Sequence, residues 1–150
     1  MANKNFSTYS LADVRLVFNH PNVGQCVLSE CGGGRIVVQY QGDISSHTLS
    51  ANGYPVVNKM RARHASVQLE LPQNSEADDY MRKFANYVSN AATKLFALAK
   101  MTLFDPAAND GAGRTLTMSG VTPQKLPDEN YDQTSGTRNY TLLVAEVAET

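Results

Sequence analysis

The sequence predicts a mainly β fold (α+β) with one long α-helix. The expected architecture is an antiparallel β-sandwich or barrel flanked by that helix, in a single domain spanning residues 1–150. Three observations lead to this prediction. Only one long segment, residues 75–98, has clear helical periodicity. Most other apolar segments are short, alternate with polar residues and are separated by turn residues, as antiparallel strands are. With 150 residues, 42% of them hydrophobic, the chain is long enough to bury a core of its own.

Residues 75–98 are predicted to form the helix around which the strands are arranged. Apolar side chains recur at three- and four-residue spacing on one face: Tyr80, Phe84, Val88, Ala91 and Leu95. Ser75 followed by Asp78 resembles a capping box at the start of this helix. Because nearly everything else is predicted as strand, we expect the apolar face to pack against a sheet. The hydroxyls of Tyr80 and Tyr87 are then expected at the rim of the core.

Seven segments are predicted as strands: 9–18, 25–30, 35–41, 66–71, 99–104, 114–119 and 137–147. Turn residues at 109–113 indicate that the two strands on either side form a hairpin. The last strand carries apolar residues on both faces between residues 142 and 147. This pattern is typical of a central or doubly covered strand.

Two segments look like additions to a compact domain. Residues 1–8 are polar and are predicted to be an N-terminal arm. Residues 42–58 mix turn residues with isolated apolar ones and are predicted to be a long inter-strand loop. A loop of that length inside a compact domain is usually functional or pairs with a partner.

Composition and charge argue against several classes of function. The formal net charge of −1 gives no overall field to attract nucleic acid or an anionic membrane. No apolar run approaches the roughly 20 residues that a membrane-spanning helix needs, so no membrane anchor is expected. The first residues lack the apolar core of a secretory signal. A reducing cytoplasm is therefore expected, with Cys26 and Cys31 as free thiols.

No constellation of catalytic residues stands out. His20, His47 and His64 lie in separate segments, and two cysteines five residues apart do not make a structural zinc site. The three consecutive glycines at residues 32–34 lack the Lys-Ser/Thr of a phosphate-binding loop. We therefore expect no catalytic residues, no metal and no cofactor, although a site formed only in three dimensions by a small hydrolase stays an alternative.

Three cations alternate along an extended segment after the long loop: Lys59, Arg61 and Arg63. Clustered cations suit phosphate contacts, so a polyanion- or DNA-binding module is one interpretation. They also suit an exposed edge strand, where charge prevents unwanted pairing. A third interpretation is contact with an acidic patch on a neighbouring subunit, for which the sequence offers Asp128, Glu129 and Asp132.

Three stretches resemble a known family: NFSTYSLADVRLVFNHPNVGQ near the start, SGVTPQKLPDENY, and NYTLLVAE near the end. They are similar to phage structural proteins taken to be tail tube proteins of contractile-tailed bacteriophages. The resemblance runs from about residue 4 to residue 146. It rests on sequence texture and not on a chemical motif.

The resemblance implies a structural, non-enzymatic subunit. Tail tube proteins, like the similar tubes of type VI secretion systems, form hexameric rings whose sheets join into an inner β-barrel. The rings stack into a hollow conduit for genome delivery inside a contractile sheath. Implied partners are further copies of the chain, the sheath protein, baseplate and tail terminator proteins, and genomic DNA passing non-specifically through the lumen. The implied location is the virion tail, after assembly in the host bacterial cytoplasm. A tail terminator or baseplate protein of the same fold is an alternative.

Mapped onto this chain, the resemblance gives two sets of expected contact residues. Polar faces of the strands beside the long loop would line the lumen: Gln39, Gln41, Ser66, Gln68 and Glu70. The long loop, the cations and the acidic residues would make ring-stacking or inter-subunit contacts: Asp43, Ile44, Leu49, Tyr54, Val56, Lys59, Arg61, Arg63, Asp128, Glu129 and Asp132. The helix would lie outside the barrel, with its polar face towards sheath or solvent.

Overall fold

Nine strands and one α-helix make up the part of the chain that the computed structural model describes, residues 9–28 and 34–149. The strands are β1 (Arg15–His20), β2 (Gly24–Val27), β3 (Arg35–Tyr40), β4 (Ser45–Leu49), β5 (Pro55–Lys59), β6 (Ala65–Pro72), β7 (Ala99–Asp105), β8 (Arg114–Lys125) and β9 (Thr137–Glu149). The helix α1 is Glu76–Ser89, and short 3-10 turns lie at Leu11–Asp13, Thr93–Leu95 and Asn109–Gly111. The predicted arm at 1–8, Cys31 and residues 32–33 lie outside the described residues.

Seven of the strands form one antiparallel sheet in the order β2-β1-β7-β8-β9-β6-β3. Within the described residues, β2 and β3 are the edge strands and the sheet does not close into a barrel. The mainly β fold with one helix is confirmed, as is the hairpin around 109–113, which joins β7 to β8. The prediction that the final strand is central is also confirmed, because β9 lies between β8 and β6.

One face of the sheet packs against α1, which contacts β2, β6 and β8. The core between them includes Phe84 and Val88 of the helix and alternate side chains of the strands, such as Leu16, Met101 and Leu142. The rings of Phe18 and Phe84 meet edge to face with their centroids 4.7 Å apart. The helix is therefore held mainly by apolar burial, the dominant favourable term in folding.

The start of the helix is as the sequence predicts. The Ser75 side chain accepts a hydrogen bond from the backbone N–H of Asp78 (3.2 Å), and Asp78 Oδ2 accepts one from the N–H of Asn74 (3.0 Å). These are the reciprocal bonds of a capping box, displaced by one residue on the return. Ser75 thus satisfies the N–H of Asp78, one of the backbone donors that a helix leaves unpaired at its start.

The predicted end of the helix at residue 98 is wrong, since α1 stops at Ser89. The carbonyl of Asn86 accepts from the Ser89 hydroxyl (3.0 Å) and from the Asn90 side-chain amide (3.1 Å). Serine and asparagine side chains compete in this way with the next backbone bond of a helix. The Asn90 N–H turns instead to the carbonyl of Tyr87, which tightens the last turn. The apolar spacing of the following residues continues in a separate 3-10 turn.

Both helix tyrosines use their hydroxyls at the rim of the core, as predicted. The Tyr80 hydroxyl donates to the carbonyl of Gly24 (2.5 Å), and the Tyr87 hydroxyl accepts from the side-chain amide of Asn22 (2.8 Å). Burial, together with the nearby Cys26 thiol, raises the pKa of Tyr80 to about 12. The two bonds fix the helix to the β1–β2 turn at the edge of the sheet.

The other face of the sheet is not covered by any element of the described chain. Leu143 of β9 lies on this face and is 43% exposed, so the apolar pattern of this strand does not mark two covered faces. Strands β8 and β9 approach each other closely at Gly120, where φ is +65° and an added Cβ would lie 2.7 Å from Cβ of Ala145. Glycine is therefore required at this close approach.

The prediction of a loop at 42–58 is wrong in its local structure. This segment contains the antiparallel hairpin β4–β5, a separate two-stranded sheet. Its turn is closed by the N–H of Ser50 donating to the carbonyl of Tyr54 (2.9 Å), and Gly53 adopts φ +81° there. The sequence did not reveal the two short strands, because the spacing of their apolar residues follows no clean alternation.

None of the described helices is long and apolar enough to cross a membrane.

Candidate assembly surfaces

The hairpin β4–β5 exposes most of its apolar side chains. Leu49 and Tyr54 are each 72% exposed and Val57 is 68% exposed, and three further apolar residues at the hairpin and its base are exposed as well: Ile44, Val56 and Met60. A two-stranded hairpin on its own is at best marginally stable in water. Exposed apolar side chains concentrated on one element often mark an interaction site.

A short neck joins the hairpin to the seven-stranded sheet. The N–H of Gln41 donates to the carbonyl of His64 (3.2 Å), and the N–H of Met60 donates to the carbonyl of Ile44 (3.0 Å). The two segments of the neck approach each other so closely that a Cβ on Gly42 would lie 2.1 Å from Cβ of Ala62. The absence of a side chain at Gly42 is therefore what allows this neck to form.

Arg63 anchors the neck to β9. Its side-chain Nε–H donates to the carbonyl of Val147 (3.2 Å), and its own carbonyl accepts from the N–H of Val147 (3.0 Å). Of the three cations that the sequence predicts at subunit contacts, Arg63 thus makes bonds within its own chain. Lys59 and Arg61 are exposed beside it.

An open cleft of about 840 Å³ lies at the base of the hairpin and brings all three cations together. Its lining consists of Ile44, Lys59, Met60, Arg61, Arg63, His64, Ala145 and Glu146. Three permanent cations and one histidine therefore face a single carboxylate. The sequence predicted the cluster of cations, but not Glu146, which comes from β9.

The predicted acidic patch lies elsewhere, in the loop between β8 and β9. Asp128 and Asp132 are exposed and line a small cavity together with Gln73, which directly follows β6. The Gln73 side-chain amide donates to the carbonyl of Asn130 (3.3 Å), which holds the loop at that end of the sheet. Glu129 forms an ion pair with Arg82 of the helix, so it is already paired within the chain.

All five residues predicted to line a lumen share the uncovered face of the sheet. In β3 and β6 the pairs Gln39–Ser66 and Val37–Gln68 lie directly opposite each other. The Gln41 amide donates to the Ser66 hydroxyl (3.1 Å), which explains why Ser66 is buried although it faces outward. Glu70 lies opposite Arg35 in the same ladder.

The structure adds neighbours that the sequence did not single out. A shallow groove of about 270 Å³ on this face includes side chains from β3, β6 and β9: Arg35, Val37, Gln68, Leu69, Glu70, Asn139 and Thr141. The face is polar and carries both signs of charge. The alternation of β9 predicts that Asn139 and Thr141 lie on the same face of the strand. Only the order of strands in the sheet shows that they are beside β6.

A buried ionic cluster fixes the start of the helix to β9. Arg138 Nη1 donates to Asp78 Oδ2 (2.5 Å), and the Tyr140 hydroxyl donates to Asp78 Oδ1 (2.6 Å). All three residues are buried. Burial lowers the pKa of Arg138, but the charge of Asp78 and its hydrogen bond outweigh this and raise the pKa overall. Burial, followed by the hydrogen bond to Asp78, also raises the pKa of Tyr140.

Nothing in residues 9–28 and 34–149 assembles three or more metal-binding side chains of His, Cys, Asp or Glu. His20 is buried under the helix, and its Nδ1 accepts from the N–H of Asn22 (3.1 Å). Its ring packs against Phe84 and Tyr87, and burial lowers its pKa. His20 is thus part of the core, and the side chain of Cys26 is buried as well.

Comparison with known proteins gives no match to a family model and none to a curated protein. The fold is similar to a chain of the sheath–tube complex of an extracellular contractile injection system, PVC, in its extended state. The identity is 13%, the alignment covers 91% of this chain and 88% of that chain, and the TM-score is 0.54.

Two further solved structures are similar over nearly the whole chain. One is from the PVC sheath/tube terminator, with 11% identity, 100% and 99% coverage and a TM-score of 0.57. The other is from the baseplate of the anti-feeding prophage, with 12% identity, 100% and 97% coverage and a TM-score of 0.64. At these identities the likeness establishes the fold, which is tail-tube-like, as the sequence resemblance implies.

Proposed function

We propose that this chain is a structural subunit of a contractile phage tail, and that it builds the tail tube from stacked hexameric rings. The observation that carries the proposal is the exposed apolar hairpin β4–β5 on a tail-tube-like fold. The similar solved structures come from sheath–tube, terminator and baseplate complexes of contractile injection systems, which supports a structural role in such an assembly.

The hairpin is proposed as the contact between stacked rings. Asp43, Ile44, Leu49, Tyr54 and Val56, which the sequence assigns to that contact, all lie on it or at its start. Burying apolar surface gains about 25 cal/mol per Å², so moving these side chains out of water would favour association. Within one chain they have no such burial, which is the physical reason to expect a second copy.

The uncovered face of the sheet is proposed as the lining of the tube lumen, with Gln39, Gln41, Ser66, Gln68 and Glu70 facing the bore. A polyanion slides along a wall that has few unpaired cations, because fixed cations hold phosphate groups. In a ring, β2 and β3 of neighbouring copies are the free edges available to continue the sheet. The helix would then lie outside, its polar face towards the sheath.

Negative-stain microscopy with the solution mass of the purified chain tests the proposal. We expect rings or hollow tubes of uniform diameter from the unaltered protein. The triple variant Leu49→Ser, Tyr54→Ser, Val56→Ser should fold and remain in small species, because the apolar contact is lost. A matched control, Ser45→Ala with Thr48→Ala on the same hairpin, should assemble as the unaltered chain does.

The lumen assignment has its own test. Gln68→Lys with Gln39→Lys should leave tube assembly intact and slow the release of DNA from particles that contain the variant. Lys83→Gln on the exposed face of the helix is the control, since it removes a charge away from the bore. Equal DNA release by the lumen variant would contradict this assignment while leaving the tube itself in place.

A tail terminator or baseplate component is the second candidate, supported by the coverage of nearly the whole terminator and baseplate chains. Such a protein would form a single ring that binds the end of a tube and would not polymerise on its own. Microscopy distinguishes the two by tube length. A polyanion-binding module that uses Lys59, Arg61 and Arg63 would instead bind DNA with an affinity that falls steeply with salt.

A further inference from the structure

The cleft at the hairpin base is rich in cations. Arg63 and His64 directly precede β6, and Lys59 and Arg61 lie with them around this cleft. Glu146 is the single carboxylate among the residues that line it. Cations therefore outnumber carboxylates in the cleft.

The loop at the other end of β6 carries exposed carboxylates. Gln73 follows β6 there and holds the loop with Asp128 and Asp132, and the helix begins beside it with exposed Glu76 and Asp79. Three cations near this loop lie beside carboxylates of their own chain: Arg138 pairs with Asp78, Arg82 pairs with Glu129, and Arg35 lies opposite Glu70 in the ladder. Lys125, at the end of β8, is exposed.

The register of the sheet separates the cleft from the acidic loop. Ala65 pairs with Val144 at one end of β6, and Pro72 pairs with Thr137 at the other. Seven residue steps of a strand span roughly 23 Å. The cleft and the acidic loop of one chain therefore do not reach each other.

We propose that the cleft at the hairpin base receives the acidic loop of the next copy of the chain, through Lys59 and Arg61 on one side and Asp128 and Asp132 on the other. This inference rests on the proposed function, because the contact would set the direction in which the rings of the proposed tube stack. Two different patches on opposite ends make a heterologous contact, which repeats without closing and builds an extended filament. Charge complementarity also suppresses the wrong order, since two copies placed with their acidic loops, or their cation-rich clefts, in contact with each other repel.

Arg63 is excluded from the partner-facing set because its side chain bonds to Val147 within its own chain. Glu129 is excluded for the same reason, because it pairs with Arg82. The structure thus reduces six charged residues of the sequence to four that are available to a partner. These four define the experiment.

Charge reversal tests the contact. We expect Lys59→Glu with Arg61→Glu to raise the concentration needed for assembly by roughly tenfold or more, and Asp128→Lys with Asp132→Lys to do the same, as close interfacial charge pairs do. A chain that carries all four changes should assemble at nearly the original concentration, because the attraction is restored with the signs exchanged. The control is Lys83→Glu with Lys94→Glu on exposed positions of the helical region, which changes the net charge by as much as Lys59→Glu with Arg61→Glu does.

A disulfide trap gives a second readout. With Cys31→Ser as background, Arg61→Cys in one chain and Asp132→Cys in another should form a linked dimer on mild oxidation of the mixture. Asp79→Cys paired with Lys83→Cys is the control pair, since neither residue lies at the cleft.

The outcomes separate this contact from the proposed function. Assembly of the unaltered chain with no change in either double reversal, and no disulfide above the control, overturns the contact while the tube proposal stands. An unaltered chain that stays monomeric at every concentration overturns both. Restoration by the fourfold exchange supports the contact, since general loss of folding cannot be reversed in this way.

Discussion

The hairpin β4–β5 and the helix-covered face of the sheet differ in how far their side chains are buried. Beneath the helix, Phe84 and Leu16 are fully buried, and the charged Asp78 has three partners within 3.0 Å or less. On the hairpin, Leu49 and Tyr54 are mostly exposed, and its two strands pair with each other in a sheet of their own. The helix and the sheet bury their apolar side chains against each other, whereas the hairpin leaves most of its own exposed.

In the proposed assembly, this difference places the free energy of folding and the free energy of association in separate parts of the molecule. Changes beneath the helix should lower the stability of the monomer. Changes on the hairpin should leave the monomer folded and prevent assembly.

Breaking the buried ion pair should have the largest effect. Arg138→Ala leaves Asp78 buried without its cation, which costs about 3–5 kcal/mol in comparable buried pairs. Arg114→Ala is the matched control, because the Arg114–Glu149 pair is exposed and such pairs contribute about 1 kcal/mol or less. Urea unfolding measures both. Similar losses for the two variants would show that the buried cluster does not hold the helix to β9.

Gly42→Ala should have an intermediate effect. The new Cβ would overlap Cβ of Ala62, so the two segments of the neck must move apart. This should lower the free energy of unfolding by about 1–3 kcal/mol. Gly136→Ala is the control, since no atom lies within 4 Å of an added Cβ there and its φ is not positive. Urea unfolding and the concentration needed for assembly are measured together. Normal assembly of Gly42→Ala would contradict a role for the neck in orienting the hairpin.

His20 should make stability dependent on pH to a smaller extent. Burial lowers its pKa below the ordinary value of 6.5, so the unfolded chain binds a proton before the folded chain does. Its contribution is complete above pH 6.5 and is lost as the pH falls towards the lower folded pKa, with a slope of at most about 1.4 kcal/mol per pH unit.

His20→Gln should reduce this slope, while His47→Gln on the exposed hairpin should not change it. Thermal unfolding between pH 7 and pH 5 supplies the comparison. An identical pH dependence in all three proteins would show that the neutral form of His20 is not required by the fold.

The hairpin substitutions should have the smallest effect on unfolding. Leu49→Ser and Tyr54→Ser remove side chains that are largely in water, so each should change the free energy of unfolding by about 0.5 kcal/mol or less. Their effect belongs to assembly. A large loss of monomer stability from either substitution would erase the distinction between the two regions.

The same distinction explains how much the sequence could predict. The helix cap at Ser75 and Asp78 and the alternation of Leu16 and Phe18 are local patterns, and the structure contains them as predicted. The helix end was missed because the side chains of Ser89 and Asn90 compete for a backbone carbonyl, an effect that apolar periodicity does not reveal.

The candidate surfaces were predicted only in part. The cations and the exposed apolar residues are visible in the chain as isolated runs, but the cleft needs Glu146 from β9, and that neighbour depends on the long-range register. Asp78 was predicted as a helix cap alone, because nothing in the spacing of 60 residues links it to Arg138. Local sequence patterns do not predict which distant strands pair with each other.

Hydrogen exchange on the hairpin, measured in the free chain and again in the assembled state, tests the central claim most directly. The account predicts fast exchange of the β4–β5 amides in the free chain, strong protection of the same amides after assembly, and little change in α1. Hairpin amides that exchange equally fast in both states, or a chain that never leaves the monomeric state, would contradict it.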